Sequence, residues 1–495
     1  MSKTTNPLKR LAGETAIYGM GTIVPRLLNY LLTPFFTRVL IKSDYAVLTD
    51  LYSWIAILLV LTTYGMETSF FRFSNKAQHK KKVYSTALGS IFSTTILFLA
   101  VILMFQGDIA AIIGYAKHPE FILFVALIVG MDALASIPFA SLREQRRAFR
   151  FSSIKITGVV VNIILNFYFL WFCPMIAEKN PDSLFLFFYS SNIEVGYIFI
   201  SNIISSAVVL AMLLPQIFKT KLYIDFTLLK RMLRYAYPLA IIILAGMINE
   251  VADKVMLKYL LPQETLIERM ELLGEYGANF KLAVLMSVFI QMFRFAAEPF
   301  FFAQAKEKNA KSVYANVMKY FIIFGWLIFL GVMLYLDILK YFIAENYHQG
   351  LFIVPILLIA KLFQGVFYNL SVWYKLTDLT KMGAYIAISG TIITLLFNLF
   401  LVPEIGYKGA AYGQLACYGS MVIISFIVGR KHYKINYPVK WIAFYSGFAL
   451  LIYLVSTIVQ DFEPAIKFTL NTFMLLAFIT VAFVLERKKI RTNAY

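Results

Sequence analysis

Apolar stretches of about 20 residues recur from Gly13 to the end of the chain, separated by short polar connections. That is the length an α-helix needs to cross a hydrocarbon core roughly 30 Å thick. The pattern predicts fourteen membrane-crossing segments, centred near residues 25, 55, 94, 131, 162, 205, 247, 288, 326, 361, 392, 418, 450 and 475. The longest predicted connection lies between Lys258 and Lys281. The pattern is interrupted most sharply in AGMINEVADKVMLKYL, residues 245–260, where Glu250, Asp253 and Lys254 fall inside an oily segment. A charge at the centre of a spanning helix costs roughly 2.5 to 3.5 kcal/mol on the insertion scale, so these groups must face something other than lipid.

Composition agrees with an all-α polytopic membrane protein. Of 495 residues, 60% are hydrophobic and 15% charged, against about 25% charged in soluble domains. Sorting the 46 Lys and Arg residues onto alternate sides of the fourteen segments puts 32 on one side and 10 on the other. By the positive-inside rule both termini are then cytoplasmic and the segment count is even. The same sorting accounts for the net charge of +19 as topology signal and contact with anionic membrane lipids; no nucleic-acid role is needed. Pro25 and Arg26 interrupt the first segment, which is therefore read as a retained helix and not a cleavable leader.

Cys173 and Cys417 have no common side on which to pair, so no disulfide is expected. The four histidines, His79, His118, His348 and His432, all fall in connections. That leaves no histidine at membrane depth for a metal cluster or for the base of a buried nucleophile, so no metal and no cofactor are expected.

An internal repeat adds organisation. In YAVLTDLYSWIAILLVLTTYGMETSFFRF and YGANFKLAVLMSVFIQMFRFAAEPFFF, Tyr45 meets Tyr276, Glu67 meets Glu298, and Phe70 and Phe71 meet Phe301 and Phe302, all at an offset of 231. One segment earlier the offset is 220, bringing Asn29 onto Asn249 and Arg38 onto Lys258, with 11 extra residues in the seventh connection. Segments one to six and seven to twelve are thus predicted to be parallel repeats around a central site. The expected division is 1–218, 219–434, and 435–495 for the last two segments with their basic tail.

Four cations fall at membrane depth: Arg26, Lys254, Arg294 and Lys361. Lys254 lies four residues after Glu250, on the same helix face, and Glu298 follows Arg294 by one turn; either couple could pin helix packing, or could snorkel to an interface. Arg26 and Lys361 have no acid within a turn, and Asp50 and Asp132 are the structural partners available to them. The remaining reading is a wet cavity whose cations hold an anionic cargo. Glu250 and Asp253 with Asn249 supply oxygen ligands for Na⁺ or groups that exchange H⁺.

The opening GETAIYGMGTIVPRLLNYLLTPFFTRVLIKSDYAVLTDLYSW and the later GMETSFFRF resemble the polysaccharide transporter branch of the multidrug/oligosaccharidyl-lipid/polysaccharide (MOP) exporter superfamily, in particular its Wzx-type O-antigen flippases. The resemblance implies two six-helix lobes of the kind found in multidrug and toxin extruders (MATE), around a V-shaped cavity, with two helices added at the C-terminus. It implies alternating-access transfer of undecaprenyl-pyrophosphate-linked oligosaccharide from inner to outer leaflet of the bacterial inner membrane, alongside the polysaccharide assembly machinery, and no bond chemistry. It places Arg26 and Arg294 on the headgroup, with Lys361 and Lys254 as further anion contacts, and Glu250 or Asp253 at an ion site. Thr391, Thr394 and Asn398 stand where the family's ion site has acidic company, which departs from the pattern. Asp50, Glu67, Asp132 and Glu298 are secondary candidates. Two other readings stay open. A MATE-like drug antiporter would use Glu250 and Asp253 for a cationic substrate. A membrane polysaccharide polymerase or ligase would want a large outer loop, and the sequence shows none.

Overall fold

A computed structural model describes residues 7–76, 80–191, 193–305, 307–377 and 379–492; His79 lies outside them. All fourteen predicted segments are helical: α1 Pro7–Leu31, α2 Lys42–Thr63, α3 Lys80–Ile112, α4 Glu120–Glu144, α5 Ala148–Phe167, α6 Gly196–Ile217, α7 Phe226–Leu260, α8 Leu266–Gln304, α9 Ala310–Leu334, α10 Val354–Leu370, α11 Thr380–Ile405, α12 Tyr407–His432, α13 Val439–Ile458 and α14 Pro464–Thr492. The described residues contain no strand. Helix satisfies every backbone N–H and C=O within one segment, as hydrocarbon requires. Twelve of the helices are each long and apolar enough to span a bilayer; α1 and α7, which carry Arg26 and the Glu250 to Lys254 cluster, are the other two. Large side chains such as Leu97, Met104 and Phe400 stand exposed on the helices, as on lipid-facing surfaces.

The connection before α8 corrects the sequence reading. Only residues 261–265 separate α7 from α8, because Thr265 and Glu268 form a reciprocal capping box that starts the helix there. Residues 266–281 therefore extend α8, whose 39 residues make it about 58 Å long. The 11 extra residues of the repeat are absorbed in helix, and the longest gap between successive long helices is instead 168–195, between α5 and α6, begun by a π-helix at Tyr168–Phe172 and a short helix at Cys173–Lys179. Helix α1 continues through Pro25.

The chain forms two compact units, 1–255 and 256–495. Counting segments had placed a boundary at 218/219. Contacts place it later because the first half of α7 packs with the first unit: Leu228 and Met232 join a core with Met66, Phe70, Tyr84 and Ile137, and Ser69 Oγ donates to the Met232 carbonyl at 3.0 Å.

Each unit repeats the same helix pairings. In the first, α2 and α3 pack on α4, and α4 and α5 on α6; in the second, α8 and α9 pack on α10, and α10 and α11 on α12. The side chains repeat too. Tyr45 and Tyr276 are both fully buried. Phe70 meets Tyr84 edge-on, as Phe301 meets Tyr314. Glu67 pairs with Arg143 of α4, while Glu298 pairs with Lys375 just beyond α10.

Helices α13 and α14 close on α9. Lys319 of α9 forms a buried ion pair with Glu486 of α14, and Tyr445 of α13 donates to the same carboxylate at 2.9 Å. Trp326 Nε1 donates to Ser446 at 2.8 Å, and Asn471 Nδ2 to the Leu334 carbonyl at 2.6 Å. Removing one partner of a buried ion pair strands the other charge, at a cost of about 3–5 kcal/mol. Lys319→Met should therefore lower the unfolding temperature of the detergent-purified protein clearly, and adding Glu486→Gln, which keeps an acceptor for Tyr445, should recover most of the loss.

Candidate anion sites in the two units

In the first unit the site begins with a close crossing of α1 and α5. A Cβ on Gly21 would lie 2.2 Å from Ser152 Oγ and 2.8 Å from Ser152 Cα, so only glycine allows this approach. Beyond the crossing, Arg26 of α1 and Lys155 of α5 are both exposed. Lys155 lies within electrostatic reach of Asp132, Arg143 and Arg26, and its Nζ stands 4.3 Å from the centre of the Phe139 ring. Among the described residues it makes no hydrogen bond and no ion pair at contact distance. Asp132 accepts a 2.9 Å hydrogen bond from Ser206 Oγ. Arg143 pairs with Glu67 and lies over Phe71 and Phe151, 5.0 and 5.9 Å from the ring centres.

In the second unit a small cleft is lined by Arg294, Glu298, Phe302, Tyr368, Ser371 and Lys375, among others. The expected couple of Arg294 and Glu298 is not formed: Arg294 lies 4.1 Å above the Tyr368 ring and Glu298 takes Lys375. A guanidinium held over an aromatic ring still has N–H groups to offer a planar anion.

The other candidates sit elsewhere. Lys361 is fully buried in the second unit, its Nζ 4.9 Å from the Phe280 ring centre and 5.7 Å from that of Tyr418. Lys254 reaches both oxygens of Asp253, at 3.1 and 3.3 Å, and the Glu250 carbonyl at 3.1 Å. Asp253 and Asn249 are buried beside it, so the acidic patch carries its own cation. Asp50 accepts from Tyr115, at 2.8 Å. In α11, Thr394 and Asn398 turn back onto their own helix. Cys173 and Cys417 are both buried, and neither forms a disulfide.

Sequence reasoning missed Lys155, Arg143 and Lys375 because all three read as connection residues and count as topology signal. It also missed buried Glu275 of α8, which accepts from Tyr407 at 2.7 Å; its position in a supposed loop hid it. No group of three His, Cys, Asp or Glu side chains able to hold a metal occurs among the described residues.

Residues 11–304 match the family described as "Polysaccharide biosynthesis protein". The fold is similar to that of "Lipid II flippase MurJ, inward closed conformation", with a TM-score of 0.72 at 14% identity over 96% of this chain and 100% of that one. It is also similar to an inward-facing multidrug resistance MATE family transporter of the MOP superfamily, with a TM-score of 0.64 at 12% identity over 84% of this chain and 97% of that one. The MATE multidrug transporter DinF-BH gives 0.58 at 14% identity over 87% and 97%. Among curated proteins no sequence matches the chain. With more than half its length matched, the chain belongs to the polysaccharide biosynthesis protein family, and its fold is the one shared by these flippase and multidrug transporter structures.

The crossing at Gly21 is what brings Arg26 towards Lys155. Gly21→Ala forces a methyl group against the Ser152 backbone and should destabilise the protein by about 1–3 kcal/mol, read as a lower unfolding temperature. Gly19→Ala, with nothing within 4 Å of the added Cβ, should leave that temperature unchanged.

Proposed function

We propose that the protein is a flippase for undecaprenyl-pyrophosphate-linked oligosaccharide, an O-antigen or other surface polysaccharide repeat unit, moving it from the inner to the outer leaflet of a bacterial inner membrane. The observation that carries this reading is the set of exposed cations, Arg26 and Lys155 in one unit and Arg294 in the cleft of the other, in a chain of the polysaccharide biosynthesis family. Accessible charges on spanning helices are stable only against water or an anion. A diphosphate offers oxygens in the planar arrangement that guanidinium groups bind through two parallel hydrogen bonds. The neutral sugars then follow through water, the prenyl chain stays in lipid, and no bond is made or broken. Both termini are cytoplasmic in this reading, from the charge sorting.

Uphill transfer is coupled to Na⁺ or H⁺, with Glu250, Asp253 and Asn249 as the candidate ion groups. Lys254 already neutralises Asp253, so an entering cation has to displace that ammonium, whereas a proton need only redistribute the charge. This favours H⁺. The same internal pairing counts against a cationic drug as cargo at this patch.

The test is flipping of a fluorescent undecaprenyl-diphosphate oligosaccharide in proteoliposomes under imposed Na⁺ and H⁺ gradients. Arg26→Ala and Arg294→Ala should each slow transport by about tenfold or more, the worth of one charged hydrogen-bonded contact. Glu250→Gln should alter the response to one gradient. Full-rate transport by both well-folded arginine variants would sink the proposal, and exchange of a cationic drug for either ion by the wild type would replace it with the exporter reading.

A further inference from the structure

The Arg26, Lys155 and Asp132 group supports a more specific statement about how the first unit receives its cargo. Lys155 stands on the eighth residue of α5, about 10 Å along the axis from that helix's start. It is too far in to be explained as a terminal topology charge. Its ammonium lies over the Phe139 ring, 4.3 Å from the ring centre, and the residue as a whole is exposed. The acid acting on it most strongly is Asp132, in the middle of α4, and the like charges acting on it are Arg143 and Arg26. Asp132 itself is anchored by Ser206 of α6, and Glu67 is already committed to Arg143. The site thus has two accessible cations, one anchored acid set back from contact, and the crossing at Gly21 that holds the two cation-bearing helices together.

We infer that Lys155 is a headgroup-binding residue, which together with Arg26 clasps a diphosphate, and that Asp132 is the resident counter-ion that balances Lys155 when the site is empty. The inference rests on the flippase reading for the identity of the cargo. A point-like ammonium beside a planar guanidinium suits a diphosphate, whose two phosphoryl groups present several oxygens at different angles. An acid anchored by Ser206 cannot follow Lys155 outward, so an arriving anion wins the ammonium without breaking a contact ion pair. The counter-charge then makes release possible, because binding that is too tight would stop turnover.

The experiment is calorimetric titration of the full-length protein in detergent with farnesyl diphosphate and, separately, with uncharged farnesol. The wild type should bind the diphosphate and discriminate against the alcohol. Lys155→Gln should weaken diphosphate binding about tenfold, Lys155→Arg should stay near wild type, and Asp132→Asn should tighten binding several-fold by removing the competing charge. Opposite signs for the Lys155 and Asp132 variants are what a merely structural pair cannot give, since breaking such a pair from either side only lowers stability. The unfolding temperature of each variant, read alongside, separates a misfolded protein from a weak binder, and Lys155→Arg supplies a folded comparison. If Lys155→Gln binds like wild type while Arg26→Ala loses affinity, the inference fails and the flippase reading stands. Weaker binding by Asp132→Asn overturns the counter-ion role. A wild type that does not distinguish the diphosphate from the alcohol takes down the headgroup part of the flippase reading, and this inference with it.

Discussion

The organising constraint is that hydrocarbon accepts neither an unsatisfied backbone group nor a bare charge. The first half of that constraint makes every spanning element a helix. The second requires each charge carried on those helices to be matched or wetted. Lys254 lies against Asp253, Lys319 against Glu486, and Lys361 against the faces of Phe280 and Tyr418. Arg26, Lys155 and Arg294 are exposed on their helices, and the proposed cargo chemistry is built on them.

The repeat gives these charges their context. Glu67 with Arg143 and Glu298 with Lys375 occupy matching places in the two units, each tying the end of a long helix to the helix pair beside it. The aromatic contacts between Phe70 and Tyr84, and between Phe301 and Tyr314, follow the same correspondence. The units have diverged where chemistry is concentrated. Asp50 sits where the second unit has Lys281 at the common offset, and α2 ends in a left-handed turn at Tyr64 and Gly65 whereas α8 runs on unbroken. Such a pattern suits a repeated scaffold that has kept its packing while each half acquired its own polar groups.

Helices α13 and α14 stand outside the repeat. Their attachment to α9 uses a buried ion pair, a Trp to Ser hydrogen bond and an Asn to carbonyl hydrogen bond. Lipid offers no hydrophobic drive to bring two apolar helices together, so polar contacts and close packing must fix the pairing. That explains why Glu486, within the last helix, is buried and carries two partners.

The sequence by itself determined the number and place of the fourteen helices, the class of protein, and the repeat through Tyr45, Glu67 and Phe70, because length and hydropathy are local properties and a bilayer reads them one segment at a time. It also singled out Arg26 and Arg294 as cations in need of an explanation. Only the tertiary structure decided which charges are matched. Lys361 and Arg26 look alike in sequence, each alone in an apolar run, yet one is sealed between two rings and the other is exposed. Lys155, Arg143 and Lys375 look like topology charges until helix packing sets them beside Asp132, Glu67 and Glu298. The extension of α8 was hidden for a related reason: its polar first turns read as loop until the capping box at Thr265 and the packing of Glu275 against Tyr407 are in place. Partnership between side chains far apart in the chain depends on the crossing of helices, set by close approaches such as Gly21 on Ser152, and no local pattern encodes it.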